Sequence, residues 1–250
     1  MLHKRFFFFF LFSSFAFAFI NVAPPIIGDK TGFTAEMAIG ADYRAGNSES
    51  SSLNLGFKGQ YDHKDWILYL LASYTYGESK QIKDSNEGLF HLRYIQNISH
   101  TDYDYELFAQ SEFNEFQKIK DRNLLGANIR KSFSLGFDSF YLGLGAFYSY
   151  TEPEKIISFD PVHEQTNMNS YLSFVKKINT HFSLTYLGFY QPNIEDFSDF
   201  KTFQVLQLST SISKHTTLSL DLNHRYSSNP YLGIEESDFR SMINLRYKLK

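Results

Sequence analysis

Cysteine is absent from the 250-residue chain, and there is no strong excess of either charge. Without cysteine the protein has no disulfide scaffold, thiolate zinc site, iron–sulfur cluster or cysteine nucleophile. The 24 lysines and arginines stand against 27 aspartates and glutamates, so no basic excess points to nucleic acid. Mean hydropathy is −0.31 and no apolar run reaches the roughly 18 residues of a membrane helix, which excludes a helical membrane bundle.

Aromatic residues are abundant. The 27 phenylalanines and 17 tyrosines bring the aromatic share to 18%. A chain of this composition can bury a large apolar surface, which excludes disorder. Its length suits one or two soluble domains or a single large β-domain.

The first 18 residues have the layout of a secretory signal peptide. A positive end at Lys4 and Arg5 precedes the apolar run Phe6–Phe12, and Ala16-Phe17-Ala18 is a small-x-small cleavage pattern. The apolar run is too short to cross a bilayer. We predict a signal peptide over 1–18, with a cut as late as residue 23 as a variant, and secretion beyond the inner membrane. An uncleaved membrane anchor is the alternative.

The rest of the chain alternates between apolar and polar residues. In the segment 216–228, Leu218, Leu220 and Leu222 share one face, and polar residues occupy the positions between them. A period of two over this length is strand geometry and does not fit a helix. Twelve such segments are predicted, at 33–46, 48–62, 65–77, 86–99, 102–116, 121–135, 138–151, 165–178, 181–193, 199–213, 216–228 and 237–250.

An even number of long strands whose joints alternate in length predicts a transmembrane β-barrel. A soluble sandwich has shorter strands, and its architecture does not require short and long loops to alternate along the chain. The predicted fold class is therefore all-β, with a single antiparallel barrel of about 12 strands over 33–250 after a short periplasmic segment at 19–32. The longer loops are expected at 78–85, 152–164, 194–198 and 229–236.

Three joints depart from this scheme. The joint at Gly46-Asn47 is tight where a longer loop is expected. Around Asn179-Thr180 and Lys214-His215, the apolar residues change face if each turn has two residues. A β-bulge or a longer turn would restore the alternation, but the sequence does not locate one.

In such a barrel the apolar face meets lipid and the polar face encloses the lumen. The charged residues predicted to face the lumen are Arg44, Lys58, Arg93, Asp104, Glu106, Glu112, Arg122, Arg130, Asp221, Arg225, Arg240 and Arg246. They either pair and fill the lumen or line a small aqueous path with a weak preference for anions. Pairing is slightly favoured, because an unpaired buried charge costs several kcal/mol.

Several stretches resemble a known family. The stretch 40–48 (GADYRAGNS) reads as a hairpin whose Gly46-Asn47 turn accepts positive φ. Together with 114–127, 142–145 and 226–249, it resembles the salt-induced outer-membrane protein family, also called YdiY-like, a group of barrels of unknown function. Ser48 stands where that family usually has threonine.

The resemblance covers roughly residues 35–250. It implies a barrel integral to the outer membrane and related to salt or envelope stress, but no ligand, reaction or catalytic residue. Such barrels usually end on an aromatic residue that the barrel-assembly machinery reads. Here that role would fall to Tyr247 or Leu249.

One group of residues suggests chemistry. His224 and Ser228 lie together near a strand end, as in a lipid hydrolase whose imidazole activates a serine at the barrel rim. Four residues of extended strand separate the two by about 13 Å, however. No catalytic residue is therefore predicted, and this pair is kept only as the alternative. The other histidines and the acidic residues show no metal spacing, so neither a metal nor a cofactor is predicted.

The function predicted from the sequence is a non-enzymatic barrel in the outer membrane of a Gram-negative bacterium. It would act as a narrow porin-like channel or as a structural envelope protein. The alternatives are a rim-located lipid hydrolase and adhesion through the loops. The predicted partners are outer-membrane lipid, the barrel-assembly machinery during insertion and a small solute in the lumen, without nucleic acid.

Overall fold

Twelve antiparallel strands close into one barrel in a computed structural model that describes residues 25–28, 31–44 and 50–248, with only the backbone for 41–44. The predicted fold class is thus confirmed. The predicted signal peptide and the Gly46-Asn47 turn lie outside the described residues. The strands are β1 Gly32–Arg44, β2 Ser50–Asp62, β3 Trp66–Ser79, β4 Ile82–Asn97, β5 Tyr103–Asn114, β6 Ile119–Ser132, β7 Ser139–Pro153, β8 His163–Lys177, β9 Phe182–Pro192, β10 Phe200–Ser211, β11 Thr216–Ser227 and β12 Ser237–Lys248.

Each strand pairs with its neighbours along the chain, and β1 closes the barrel by pairing with β12. In this closing pair, Glu36 lies opposite Lys248 and Ile39 lies opposite Leu245. Closure gives every strand two hydrogen-bonding neighbours, so no sheet edge is left open. Among the described residues, no helix is long and apolar enough to cross a membrane.

The alternation along the strands separates two surfaces. On β11, Leu220 pairs laterally with Leu208 of β10 and Ile243 of β12, and these side chains face outward. The neighbouring Ser219 and Asp221 point inward and are almost completely buried. The same sorting recurs around the barrel, because a period of two sends successive side chains to opposite faces.

The two ends of the barrel differ in their connections. The short-turn end carries the connections 63–65, 98–102, 133–138, 178–181 and 212–215. The opposite, long-loop end carries the connections 154–162, 193–199 and 228–236, among others. This division agrees with the longer loops predicted at 152–164, 194–198 and 229–236, but the connections 80–81 and 115–118 at the same end are short.

Aromatic rings form rows at both ends of the outer surface. The row at the short-turn end contains Tyr61, Trp66, Tyr94 and Tyr105, whose successive ring centroids lie 5.5, 5.8 and 6.1 Å apart. The row at the long-loop end contains Tyr190, Phe200 and Tyr226, with successive centroids 5.5 Å apart. Rings with an apolar body and a polar tip suit the two interfaces of a bilayer.

One predicted loop is wrong. The stretch 78–85 was predicted as a longer loop, but β3 continues to Ser79 and β4 begins at Ile82. Only Lys80 and Gln81 connect them, with φ of 50° and 61°. Positive φ at both central residues matches the two-residue hairpin turns whose twist fits a β-sheet. Neither residue is the Asn or Gly that usually marks such a turn, so the sequence carried no signal for it.

The two hairpins with conflicting faces contain longer turns. Residues 178–181 connect β8 to β9, and residues 212–215 connect β10 to β11. The register between β10 and β11 is continuous, with Leu206 opposite Leu222 and Leu208 opposite Leu220. Five residues lie between the paired Lys177 and Ser183, and five lie between the paired Ser211 and Thr217. This odd number, without a bulge inside either described register, restores the alternation that a two-residue turn would break. The register shifts of the described strands lie elsewhere, at the long-loop ends of β3, β5 and β6.

The described part of the N-terminal segment lies inside the short-turn end of the barrel. Arg130 Nη2 donates a hydrogen bond to the carbonyl of Pro25 at 3.2 Å. The amide of Gly28 donates to Asp62 Oδ1 at 2.9 Å. Ile27 packs on an apolar cluster formed by inward side chains of β1, β3 and β4. Residues 25–28 thus occupy the mouth of the lumen.

The position of an outward-facing residue along its strand predicts its depth in a bilayer. Leu144, in the middle of β7, is 57% exposed, and Ile82, at the end of β4 beside the two-residue turn, is 72% exposed. We expect Leu144→Arg to destabilise the membrane-inserted barrel by about 2–4 kcal/mol, because a lipid-facing arginine is costly near the bilayer centre. We expect Ile82→Arg to cost only about 0–1 kcal/mol at the rim.

Denaturant titration of the two variants in lipid vesicles measures this difference. Equal losses of stability would contradict the placement of Leu144 near the bilayer centre and of Ile82 at the rim.

Candidate functional site in the barrel lumen

The lumen collects the charged residues predicted to face it. Arg44 has no described side chain, so its orientation lies outside the described part of the chain. The others face the lumen, where they are buried, ion-paired or line its cavity: Lys58, Arg93, Asp104, Glu106, Glu112, Arg122, Arg130, Asp221, Arg225, Arg240 and Arg246.

Two arginines and two carboxylates form a first cluster in the short-turn half, which we call the central cluster: Arg93, Asp104, Glu106 and Arg130. Arg130 Nε donates to Asp104 Oδ2 at 2.7 Å. Glu106 lies between the two guanidinium groups, 3.7 Å from Arg93 Nη1 and 3.8 Å from Arg130 Nη1. Arg130 and Glu106 are completely buried, so each charge depends on its partners for stabilisation.

Neutral side chains complete the hydrogen bonding of Glu106. Tyr171 donates its hydroxyl hydrogen to Oε1 at 2.9 Å, and Asn128 Nδ2 donates to Oε2 at 3.0 Å. The ring of Tyr171 lies against Gly143, where a β-carbon would overlap it. The missing side chain at Gly143 therefore lets Tyr171 reach across from β8 to the cluster.

A second cluster, the seam cluster, contains Glu36, Lys58, Asp221 and Arg246 near the closing strands. Arg246 Nη2 lies 3.2 Å from both oxygens of Asp221 and donates to Ser219 Oγ at 2.8 Å. Arg246 Nε lies 4.0 Å from Glu36 Oε1. The seam cluster therefore also contains cations and carboxylates in equal number.

The two clusters meet at the buried ring of Tyr69. Lys58 Nζ and Arg93 Cζ each lie 5.8 Å from its centroid, a distance at which cations are attracted to an aromatic face. Towards the short-turn end, inward-facing Ile67, Leu71 and Ile95 pack together beside residues 25–28. The lumen wall is therefore partly apolar in this half, where these side chains fill space that water would otherwise occupy.

The long-loop half contains a cavity of about 230 Å³. Phe108, Phe147, Phe189 and Phe203 contribute apolar parts of its wall. Arg122, Lys201 and Arg225 are the cationic residues on the wall nearest the long loops. The lumen therefore has a filled floor and a partly apolar chamber above it.

Loop 228–236 lies over this chamber and is anchored to loop 154–162. The amide of Leu232 donates to Asp160 Oδ1 at 2.7 Å, and Lys118 Nζ donates to the carbonyl of Leu232. Tyr231 is 9% exposed, and its ring centroid lies 5.4 Å from that of His163. Burial and the nearby carboxylate of Asp160 raise the pKa of Tyr231 to about 12, so its hydroxyl stays protonated at neutral pH.

Two important lumen residues were missed in the sequence. Glu87 accepts a hydrogen bond from Arg240 Nη1 and lies 4.0 Å from Arg225 Nη1. Lys201 lines the chamber two residues after Asp199. A signal for Glu87 existed, because it shares the face of His91 and Arg93 on β4. The uncertain phase of β10 concealed Lys201, since the register of its hairpin could not be read.

The alternative catalytic pair does not form. Ser228 Oγ accepts from the amide of Phe200 at 2.8 Å and so belongs to a strand connection. His224 Nε2 instead lies 2.9 Å from the hydroxyl of Ser237 on β12. Among the residues that the structure describes, none forms a hydrogen bond with His224 Nδ1, so no third group orients the imidazole. The described residues also contain no group of three or more side chains arranged for a metal ion.

One comparison with known proteins identifies a family, and another gives distant structural likenesses. The family model described as "Protein of unknown function, DUF481" matches residues 37–249, which confirms the family resemblance seen in the sequence. No curated protein matches the chain.

Solved structures of barrels are similar at very low sequence identity. A NanC porin has 11% identity and a TM-score of 0.49, with 86% of this chain and 96% of that chain covered. The translocator domain of autotransporter NalP from Neisseria meningitidis has 8% identity and a TM-score of 0.44, covering 88% and 89%. The outer-membrane channel DcaP of Acinetobacter baumannii has 6% identity and a TM-score of 0.38, covering 87% and 96%.

The central cluster predicts a large loss of stability when one charge is removed. Glu106→Gln keeps the shape of the side chain but leaves Arg93 and Arg130 with less compensating charge in a buried site. We expect a loss of about 3–5 kcal/mol in the free energy of unfolding.

The matched control is Glu152→Gln, whose partner Lys120 lies 2.7 Å away in an exposed pair. An exposed pair contributes only about 0–1 kcal/mol, so this variant should unfold almost as the parent does. Denaturant unfolding in detergent micelles compares the two, and similar losses would contradict a structural role for the cluster.

Proposed function

Since the chain belongs to the DUF481 family, whose function is unknown, we propose a function on the basis of the structure of its lumen. The protein is a non-enzymatic barrel of the outer membrane with a closed floor. The protein would present a small chamber towards the long loops and no open path through the lumen at rest. A relation to salt or envelope stress, which the family resemblance implies, remains part of this proposal.

The outer surface supports a membrane location. Apolar side chains such as Leu144, Ile129 and Ile243 are more than half exposed along the strands, where water would disfavour them. The rows of aromatic rings lie at both ends of this apolar surface, as at two lipid–water interfaces. A secreted barrel with such a surface fits the outer membrane of a Gram-negative bacterium, with the short turns on the periplasmic side.

The closed floor is the observation that carries the functional proposal. The central and seam clusters pair cations with carboxylates across β1, β2, β4–β6, β11 and β12, and Tyr69 joins them. Residues 25–28 and the apolar cluster fill the space towards the short turns. Ions crossing this region would have to displace buried charged pairs, which disfavours continuous conduction.

Conductance across a planar bilayer tests the closed floor. We expect the parent protein to show no discrete steps, although it inserts and shows heat-modifiable migration in gels. The double variant Glu106→Ala/Arg130→Ala removes one charge of each sign from the floor, so we expect it to show steps because a wider, less paired path is left.

The control for this experiment is Lys120→Ala/Glu152→Ala, which removes an exposed pair on the outer side of β6 and β7. It should behave as the parent does. Discrete steps in the parent as large as those in the double floor variant would overturn the closed-lumen proposal in favour of an open narrow porin.

A lipid hydrolase is the second candidate, because one specific contact favours it. His224 Nε2 and Ser237 Oγ are 2.9 Å apart on an exposed part of the long-loop rim. A histidine within hydrogen-bonding distance of a hydroxyl is the first requirement of an activated nucleophile. A group that orients the imidazole is the second requirement, and the described residues supply none.

We therefore expect no fatty-acid release when the purified barrel is incubated with phospholipid vesicles. Any background should be the same for the parent, His224→Ala and Ser237→Ala, because this pair is a structural contact at the rim. Turnover by the parent that both substitutions abolish, with the barrels still folded, would establish the hydrolase instead.

A further inference from the structure

The chamber in the long-loop half contains hydrogen-bond donors that the protein does not use. Lys201 Nζ forms no hydrogen bond or ion pair with any residue that the structure describes, although Arg122, Asp199 and Glu112 lie close enough to act on it electrostatically. Arg122 Nε and the hydroxyl of Tyr231 are buried, and neither has a hydrogen-bond partner in the described part of the chain. These two atoms have almost no accessible surface, and similar unbonded donors occur in the floor, so they do not mark the chamber. Lys201 differs because its side chain lines the chamber, where a charged donor normally has a partner.

The carboxylates inside the chamber are, by contrast, already occupied, whereas Glu235 and Glu236 lie exposed at its rim. Glu112 accepts from Arg122 Nη1 at 3.0 Å and from Gln110 Nε2 at 2.9 Å. Asp199 accepts from Gln165 Nε2 at 2.6 Å. Asp238 lies 3.3 Å from Arg240 Nε. The hydrogen-bonding capacity left over is therefore on the donor side, which is the requirement of an anion.

The wall of the chamber adds an apolar requirement. Phe189 and Phe203 lie opposite each other in the β9–β10 register, and Phe203 sits two residues from Lys201 on the same face. Phe108 and Phe147 line the chamber from the other side of the lumen. A small inorganic anion would leave these rings without contact, whereas an organic acid would use both the donors and the rings.

The size of the chamber limits the ligand. Its volume of about 230 Å³ exceeds the ~150 Å³ cavity that is known to hold benzene. One ring or short chain with a single acidic group fits, and an oligosaccharide or a phospholipid does not. Loop 228–236, which carries Tyr231, lies over the ligand position.

We propose that the long-loop chamber is a binding site for a small organic carboxylate, held by Lys201 beside the positive charge of Arg122, with its apolar part against Phe189 and Phe203. The site deepens the proposed function, because it gives the closed barrel a solute class. Lys201 supplies the charge that no carboxylate of the protein pairs directly.

Benzoate and benzamide test this proposal on the full-length barrel in detergent micelles, with titration calorimetry against empty micelles as the baseline. The two compounds share a ring and nearly the same shape, but only benzoate carries a negative charge. We expect measurable saturable binding of benzoate and at least roughly tenfold weaker binding of benzamide, because the neutral amide oxygen accepts a weaker hydrogen bond from Lys201 than the charged carboxylate does.

The variant Lys201→Met should weaken benzoate binding by a similar factor, since it keeps the apolar stem and removes the ammonium. Lys155→Met, an exposed substitution in loop 154–162, is the matched control and should bind as the parent does. Heat-modifiable migration verifies that each barrel is folded. If Lys201→Met does not fold, the comparison of benzoate with benzamide decides alone.

Equal binding of the two compounds, unchanged binding by folded Lys201→Met, or no benzoate binding would each overturn the proposal. Tighter binding of inorganic phosphate than of benzoate would also overturn it, because the apolar wall would then play no part. The conductance experiment is independent. A barrel that conducts but binds benzoate refutes only the closed floor, and a non-conducting barrel that does not bind refutes only the chamber site.

Discussion

Hydrogen bonding between β1 and β12 is the constraint on which the rest of the barrel depends. A strand in hydrocarbon has no water to bond its amides and carbonyls, so each strand needs a neighbour on both sides. Closure satisfies this requirement, and it forces the alternate side chains of every strand into one enclosed interior. The outward positions must then suit lipid, and the inward positions must suit each other.

The interior meets that demand mainly by pairing opposite charges. A narrow lumen offers little water to a guanidinium or carboxylate group, so the free energy of an isolated charge there is high. The central cluster places Glu106 between Arg93 and Arg130, and the seam cluster places Asp221 against Arg246. Tyr171 and Asn128 use the lone pairs that the arginines leave on Glu106. The pairing that keeps these charges stable also blocks the lumen.

Much of this fold was predictable because period-two alternation is a local property of a sequence. It located all twelve strands and predicted that the side chains of residues such as Arg130 and Asp221 point inward, without knowledge of their partners. Turn lengths were harder to predict from the sequence. Lys80 and Gln81 adopt positive φ although neither residue type signals it, because the two paired strands impose the turn. The odd number of residues between the paired Ser211 and Thr217 likewise became visible only through the register of Leu206 with Leu222.

The candidate site was harder to predict, because its contacts connect strands that are far apart in the chain. The pairing of Glu87 with Arg240 spans 153 residues, and no local pattern on β4 indicates it. The partner of His224 is Ser237, which lies across the β11–β12 hairpin, whereas the sequence suggested the nearer Ser228. Predicted contacts along one strand therefore failed where contacts between strands determine the chemistry.

The two halves of the lumen differ in what surrounds their unbonded donors, and this difference bears on function. The floor also contains buried donors without a hydrogen-bond partner, such as the Tyr69 hydroxyl and Arg130 Nη1, but packed side chains surround them, and Arg130 Nη1 lies 3.8 Å from Glu106. In the chamber, Lys201 lines an open volume, and no described residue forms a hydrogen bond or ion pair with its ammonium group. A charged donor beside an open volume is available to a ligand, whereas a donor enclosed by packed side chains is not. The position of Lys201 therefore favours recognition of a solute at the chamber over a purely structural role for the whole lumen.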